Sequence, residues 1–136
     1  MSAKLMSAAE IHDFGVEVVF GYLRKEGHEV ISVNTTLGMN PQIIATINGA
    51  LKHVVVRTAC YPSKGQIESE SVAVQCIEHA KTHKATCYFA SVGIANSNGR
   101  NDEEMAIPVK GAGFYTAFDG LLLLTDASRV TLWTNL

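Results

Sequence analysis

Ile11, Phe14, Val18 and Tyr22 recur at intervals of three and four, with Leu23 adjoining the stripe, which brings side chains to one face of a helix. Gly27 follows, and glycine readily takes the left-handed conformation that closes helices. The pattern predicts an amphipathic helix over residues 8–26. Residues 28–34 then read as a first strand, followed by a loop through Gly38 and Asn40. The stretch 41–58, PQIIATINGALKHVVVRT, reads as two strands joined at Asn48-Gly49. That dipeptide tolerates the positive φ angles of a tight hairpin.

Strand residues alternate between faces, so Val54 and Val56 point one way, and Val55 and Arg57 the other. A guanidinium sharing a face with Val55 is an odd choice for a plain core strand, and suggests that this face meets something polar. Tyr61-Pro62-Ser63-Lys64-Gly65 breaks the sheet, and residues 67–83 return to helical spacing. Residues 85–92 are apolar on both faces, as in a central strand covered on two sides. Residues 96–104 read as a polar surface loop.

The last third is β-rich, with strands predicted at 107–109, 114–118, 121–125 and 130–133. Asp119-Gly120 is suited to a second hairpin turn. Four successive leucines, Leu121 to Leu124, want burial on both strand faces, against a helix or another subunit. With Phe114, Phe118 and Trp133 nearby, this predicts a homodimer through the C-terminal strands.

A chain of 136 residues fits a single domain over 1–136, with no repeat, low-complexity tract or linker to divide it. Its 47% apolar and 18% charged content is that of a globular chain and excludes disorder. No apolar run approaches a membrane span, and the N-terminus carries no apolar signal core, so a cytoplasmic protein is expected. A net charge of −2 gives no general attraction to nucleic acid, so any such contact needs a local patch.

The elements resemble the PD-(D/E)xK nuclease family from about Ala8 to about Gly93. In that family a Pro-Asp opens the second strand of a meander, an acid-x-Lys triplet lies on the third strand, and the first helix often offers a Glu. Pro41-Gln42 falls at the Pro-Asp position, Val55-Val56-Arg57 at the triplet and Glu17 at the helix acid. The resemblance implies an α/β fold with a mixed sheet: a restriction-endonuclease-like αβββαβ core with extra C-terminal β-strands.

The catalytic positions it implies have changed chemistry. Family members use hard dications that need carboxylate oxygens. Gln42 offers a neutral carbonyl, Val55 offers nothing, and Arg57 keeps a positive charge but cannot deprotonate. The site reads as inactive, with no cofactor. Glu17 and Arg57 are expected to pair across the vacated pocket, although Glu17 could be a solvated helix charge and Arg57 an edge-strand arginine. Glu68 and Glu70 read as helix N-terminal charges, and less readily as migrated metal ligands.

Cys60, Cys76 and Cys87, an odd number without close pairs, point to free thiols in a reducing compartment. Cys76, His79, His83 and Cys87 form a zinc-like set, but Cys76 shares its helix sector with Val72, Ala73, Ile77 and Ala80. Packing as a small hydrophobe outweighs ligation there. Two function classes stand open. One is a non-catalytic, nuclease-like domain acting through binding or assembly, with Arg57, Lys52, Lys64 and Lys110 as contacts to nucleic acid or another anionic partner. The other is a divergent Mg²⁺-dependent nuclease of DNA or RNA, rebuilt from Glu17, Gln42, Glu68 or Glu70.

Overall fold

The computed structural model describes residues 4–125. Helix α1, Ala8–Lys25, begins at Ser7, whose hydroxyl accepts from the Glu10 N–H, while the Glu10 carboxylate accepts from the Ser7 N–H. This reciprocal cap satisfies two amide donors that a helix start otherwise leaves open. Gly27, at φ +89°, ends the helix as expected. Strands β1, Glu29–Val33, β2, Ile43–Ile47, and β3, Ala50–Cys60, form an antiparallel meander. Asn48 and Gly49 both have positive φ, 52° and 80°, the requirement for a type I′ hairpin turn.

Helix α2, Glu70–Thr82, crosses over to strand β4, Thr86–Asn96, which lies parallel to β3. The chain then runs through the short helix α3, Asp102–Met105, to strands β5, Phe114–Ala117, and β6, Leu122–Leu123. The result is a mixed α/β fold with a six-stranded sheet in the order β1-β2-β3-β4-β5, β6 also pairing with β4. Helix α1 covers one face, where Val16, Val19 and Leu23 meet Val54, Val56, Ala90, Val92 and Ile94. Helix α2 covers the other, where Ala73, Cys76, Ile77 and Ala80 meet Val55, Cys87 and Phe89. Among the described residues no helix is long and apolar enough to cross a membrane.

Several expectations are corrected. Asp119-Gly120 does not make a hairpin: Ala117 pairs with Gly93 and Leu122 with Phe89, so β5 and β6 continue in one direction along β4. The turn dipeptide instead kinks a single edge line by one extra residue, with Gly120 at φ +96°. Residues 107–109 form no strand, and Val109 makes only an isolated bridge to Leu5. Helix α2 begins at Glu70 rather than residue 67, because Ser69 caps it through Val72 N–H. Strand β4 runs on to Asn96, four residues beyond the predicted end, since β5 gives its far end a partner. Leu124 is buried and Leu121 half-buried, but Leu122 and Leu123 are exposed. Phe114 and Phe118 pack edge-on against Phe14 and Tyr22 of α1. The predicted strand at 130–133 and Trp133 lie outside the described residues.

Candidate functional site: a groove between β3 and α2

Alternation along β3 sets His53, Val55 and Arg57 on the face toward α2. Arg57 stands at one end of a cavity of about 390 Å³ lined by His12, Leu37, Gly38, Asn40, Gln42, Glu68, Val72 and Gln75. His53 stands at the end of a neighbouring cavity of about 180 Å³ that shares Gly38, Asn40 and Gln75 with the first. The two form one groove, with Val55 buried on its floor.

Gln42 is the structural centre of the Arg57 end. The residue is buried, at 2% exposure. Its Oε1 accepts from Val56 N–H at 2.7 Å and from Arg57 Nη1 at 3.3 Å. Its Nε2 donates to the Met39 carbonyl and to Asn40 Oδ1 at 2.7 and 3.0 Å. The amide thus satisfies a strand N–H on one side and a loop on the other, with donors and acceptors both used. A carboxylate here could accept but not donate to Met39 and Asn40.

Arg57 does not meet Glu17. Its Nε and Nη2 donate to the two carboxylate oxygens of Glu68, Nη2 to Oε2 at 3.1 Å, while Nη1 also donates to the Val56 carbonyl. Glu17 is exposed on α1, whose deepest positions are His12, Gly15, Val16, Val19 and Leu23. The helix is therefore turned so that His12, not Glu17, reaches the pocket. Burial works against charge on Glu68, yet the hydrogen bonds and charge of Arg57 hold its carboxyl below the usual range.

Glu68 is brought there by the loop before α2. The Gly65 N–H donates to the Val92 carbonyl at 3.0 Å, and Ser91 Oγ donates to the Gly65 carbonyl at 2.6 Å. A side chain at Gly65 would overlap the Arg57 carbonyl. Glycine lets the loop lie directly on β3 and present Glu68 to the guanidinium. Glu70, by contrast, sits in the first turn of α2, as expected of a helix-start charge.

His12 is 7% exposed, and its Nε2 is buried without a hydrogen-bond partner. Burial, and then the charge of Arg57, push its pKa below the usual imidazole value. Neutral histidine, guanidinium and side-chain amides line one pocket, a set that can receive an anionic or hydrogen-bonding group.

The remaining candidates separate. Lys64 borders a wider surface groove with Arg57 and pairs with Asp119 at 2.9 Å. Lys52 projects from β3 on the Val54 face, near His28 and the Tyr88 ring, and Lys110 pairs with Glu10. Neither gathers with Arg57. Cys76 and Cys87 lie in the core beneath α2, where burial pushes the Cys87 thiol up to about 12. All three cysteines are free. His79 and His83 are exposed and stack on each other beside His53. Neither His12 nor His53 was singled out from sequence. Strict alternation back from Arg57 was the available signal for His53.

The chain belongs to the family described as domain of unknown function (DUF8840), which it matches over residues 9–124. No curated protein matches the chain.

Proposed function

We propose that this is a non-catalytic, nuclease-fold domain acting through binding or assembly, whose Arg57 pocket receives an anionic group instead of hydrolysing a phosphodiester. Its support from the fold is the order α1-β1-β2-β3-α2-β4, with Gln42 directly before β2 and Val55 and Arg57 sharing a face of β3, which resembles the element order expected of a PD-(D/E)xK domain. The observation that carries the proposal is a ligand count. Among the described residues lining the pocket, Glu68 is the one carboxylate, and Arg57 already holds it. A hard dication bound by one or two carboxylates still competes here with a guanidinium for that group. Glu68 keeps 57% of its side chain exposed, so an incoming anion can exchange with it at the Arg57 fork. The free thiols fit a reducing, cytoplasmic setting. We also propose a homodimer through the exposed Leu122 and Leu123 edge.

One observation favours the alternative, a divergent Mg²⁺-dependent nuclease: an acid has come into the pocket beside Gln42. A cleavage assay over single- and double-stranded DNA and RNA with Mg²⁺ or Mn²⁺ separates the two. No cleavage is expected, and calorimetry is expected to show no micromolar Mn²⁺ binding. Cleavage by the wild-type chain that disappears in Glu68→Gln overturns the proposal.

A further inference from the structure

At the other end of the groove three imidazoles meet. His53 comes from β3 and is 2% exposed, whereas His79 and His83 come from the last turn and C-cap of α2. Ring centroids are 5.4 Å apart for His53 and His79, 5.6 Å for His53 and His83, and 4.5 Å for His79 and His83. With Zn–N bonds of about 2.0–2.1 Å and tetrahedral angles, three imidazoles on one ion have centroids roughly 5 Å apart. The spacing of His79 and His83, four residues apart on one helix face, is the one by which helical histidine pairs chelate zinc.

Two nitrogens sharpen the case. His53 Nδ1 is buried with no hydrogen-bond partner, an arrangement that costs free energy unless something else satisfies it. His83 Nδ1 lies 2.9 Å from the His79 carbonyl oxygen. A carbonyl can only accept, so Nδ1 carries the proton, and in the neutral ring Nε2 keeps its lone pair. A metal-binding histidine typically has such a backbone anchor on its other nitrogen.

We propose that His53, His79 and His83 form a binding site for a borderline transition-metal dication, Zn²⁺ above all. Among the described residues no group of three or more His, Cys, Asp or Glu stands already arranged to hold an ion. The rings of His79 and His83 instead stack at 28°. His79 is exposed, so its ring turns without disturbing the core, while His83 keeps its backbone anchor and the ion completes the site around the fixed His53. Three neutral nitrogen donors suit zinc, nickel or copper and discriminate against Mg²⁺ and Mn²⁺. The adjoining cavity, lined by His53, His79 and Cys76 among others, has room for a water as a fourth ligand.

The test is calorimetric titration of the chelator-treated full chain with Zn²⁺ at pH 7.5, repeated with Mg²⁺ present. One ion per chain is expected, unaffected by Mg²⁺. His79→Ala and His83→Ala alter exposed side chains, and each is expected to weaken binding by more than the roughly 10–100-fold that outer-shell changes cost. His53→Gln, with its fold verified by circular dichroism, is expected to do the same, and Cys76→Ser to leave the affinity unchanged. Absence of Zn²⁺ binding by the wild-type chain overturns the proposal, as does wild-type affinity in any one of the histidine variants. Loss of binding in Cys76→Ser overturns the three-histidine donor set.

Discussion

Arg57 and Glu68 meet as a two-pronged pair, each carboxylate oxygen facing a different guanidinium nitrogen, at the junction of β3 with the loop before α2. The partners differ in exposure: the Arg57 side chain is 12% exposed and the Glu68 side chain 57%. Solvent on the acid side limits the pair to about 0–1 kcal/mol of net stability. The arginine is held as much by the Val56 carbonyl and Gln42, so it stays in place when Glu68 leaves.

That asymmetry makes Gln42, not Glu68 or Glu17, the costly residue of the pocket. Gln42→Leu strips the buried Val56 N–H of its partner and releases the Met39 and Asn40 contacts. A loss of about 1–3 kcal/mol is expected in urea denaturation. Glu17→Gln, on the exposed side of α1, is expected to stay within about 0.5 kcal/mol. Equal losses in the two variants would mean that Gln42 does not organise the site.

Gly15 sets how closely α1 approaches the sheet. A side chain there would overlap the Thr58 hydroxyl. On an open helix face Gly→Ala stabilises by roughly 1 kcal/mol, so the sign of the change is diagnostic. Gly15→Ala is expected to destabilise by about 1–3 kcal/mol through overpacking. Adding Thr58→Ala should recover part of that loss, because the two sites touch. A stabilised Gly15→Ala chain would show that α1 has room to move.

Local chemistry was legible in the sequence, and long-range placement was not. Asn48-Gly49 fixed its hairpin because the turn needs only two tolerant residues in a row. The stripe Ile11, Phe14, Val18 and Tyr22 found α1 but mis-set its rotation. Two of the deepest positions of α1 are His12 and Gly15, which hydrophobicity does not flag, so the stripe carries no sign that His12 rather than Glu17 reaches the pocket. Glu68 reaches Arg57 because Gly65 lies against the β3 backbone, a contact that leaves no periodic trace. Asp119-Gly120 carried a hairpin signature, yet β4 was long enough to pair with both flanking segments, and the dipeptide became a kink.

The proposed homodimer rests on less surface than the sequence suggested, because α1 covers Phe114 and Phe118. What remains is Leu122 and Leu123 on the β6 edge, with Tyr115 exposed on β5. Sedimentation at micromolar concentration is expected to give a dimer that Leu123→Lys returns to a monomer. A wild-type monomer under those conditions would remove the β6 edge as an interface.

Two buried histidines predict how stability depends on pH. Burial lowers the pKa of His12, with Arg57 adding to the shift and Asp13 and Glu68 opposing it. Burial also lowers that of His53, with His79 and His83 adding to it. The folded chain therefore takes up these protons only at lower pH than the unfolded chain, whose histidines titrate near 6.5. Their contribution is complete above that value and is lost as pH falls from 6.5 toward the folded pKa values. Glu68 has the same sign in a lower window, since its carboxyl is held below 4.5 and its contribution disappears as pH falls through the folded value. Urea denaturation with chelator present should give lower stability at pH 5.5 than at pH 7.5. The slope should be shallower in His12→Asn and in His53→Gln. A wild-type chain equally stable at both pH values would show that neither imidazole is held neutral by its surroundings.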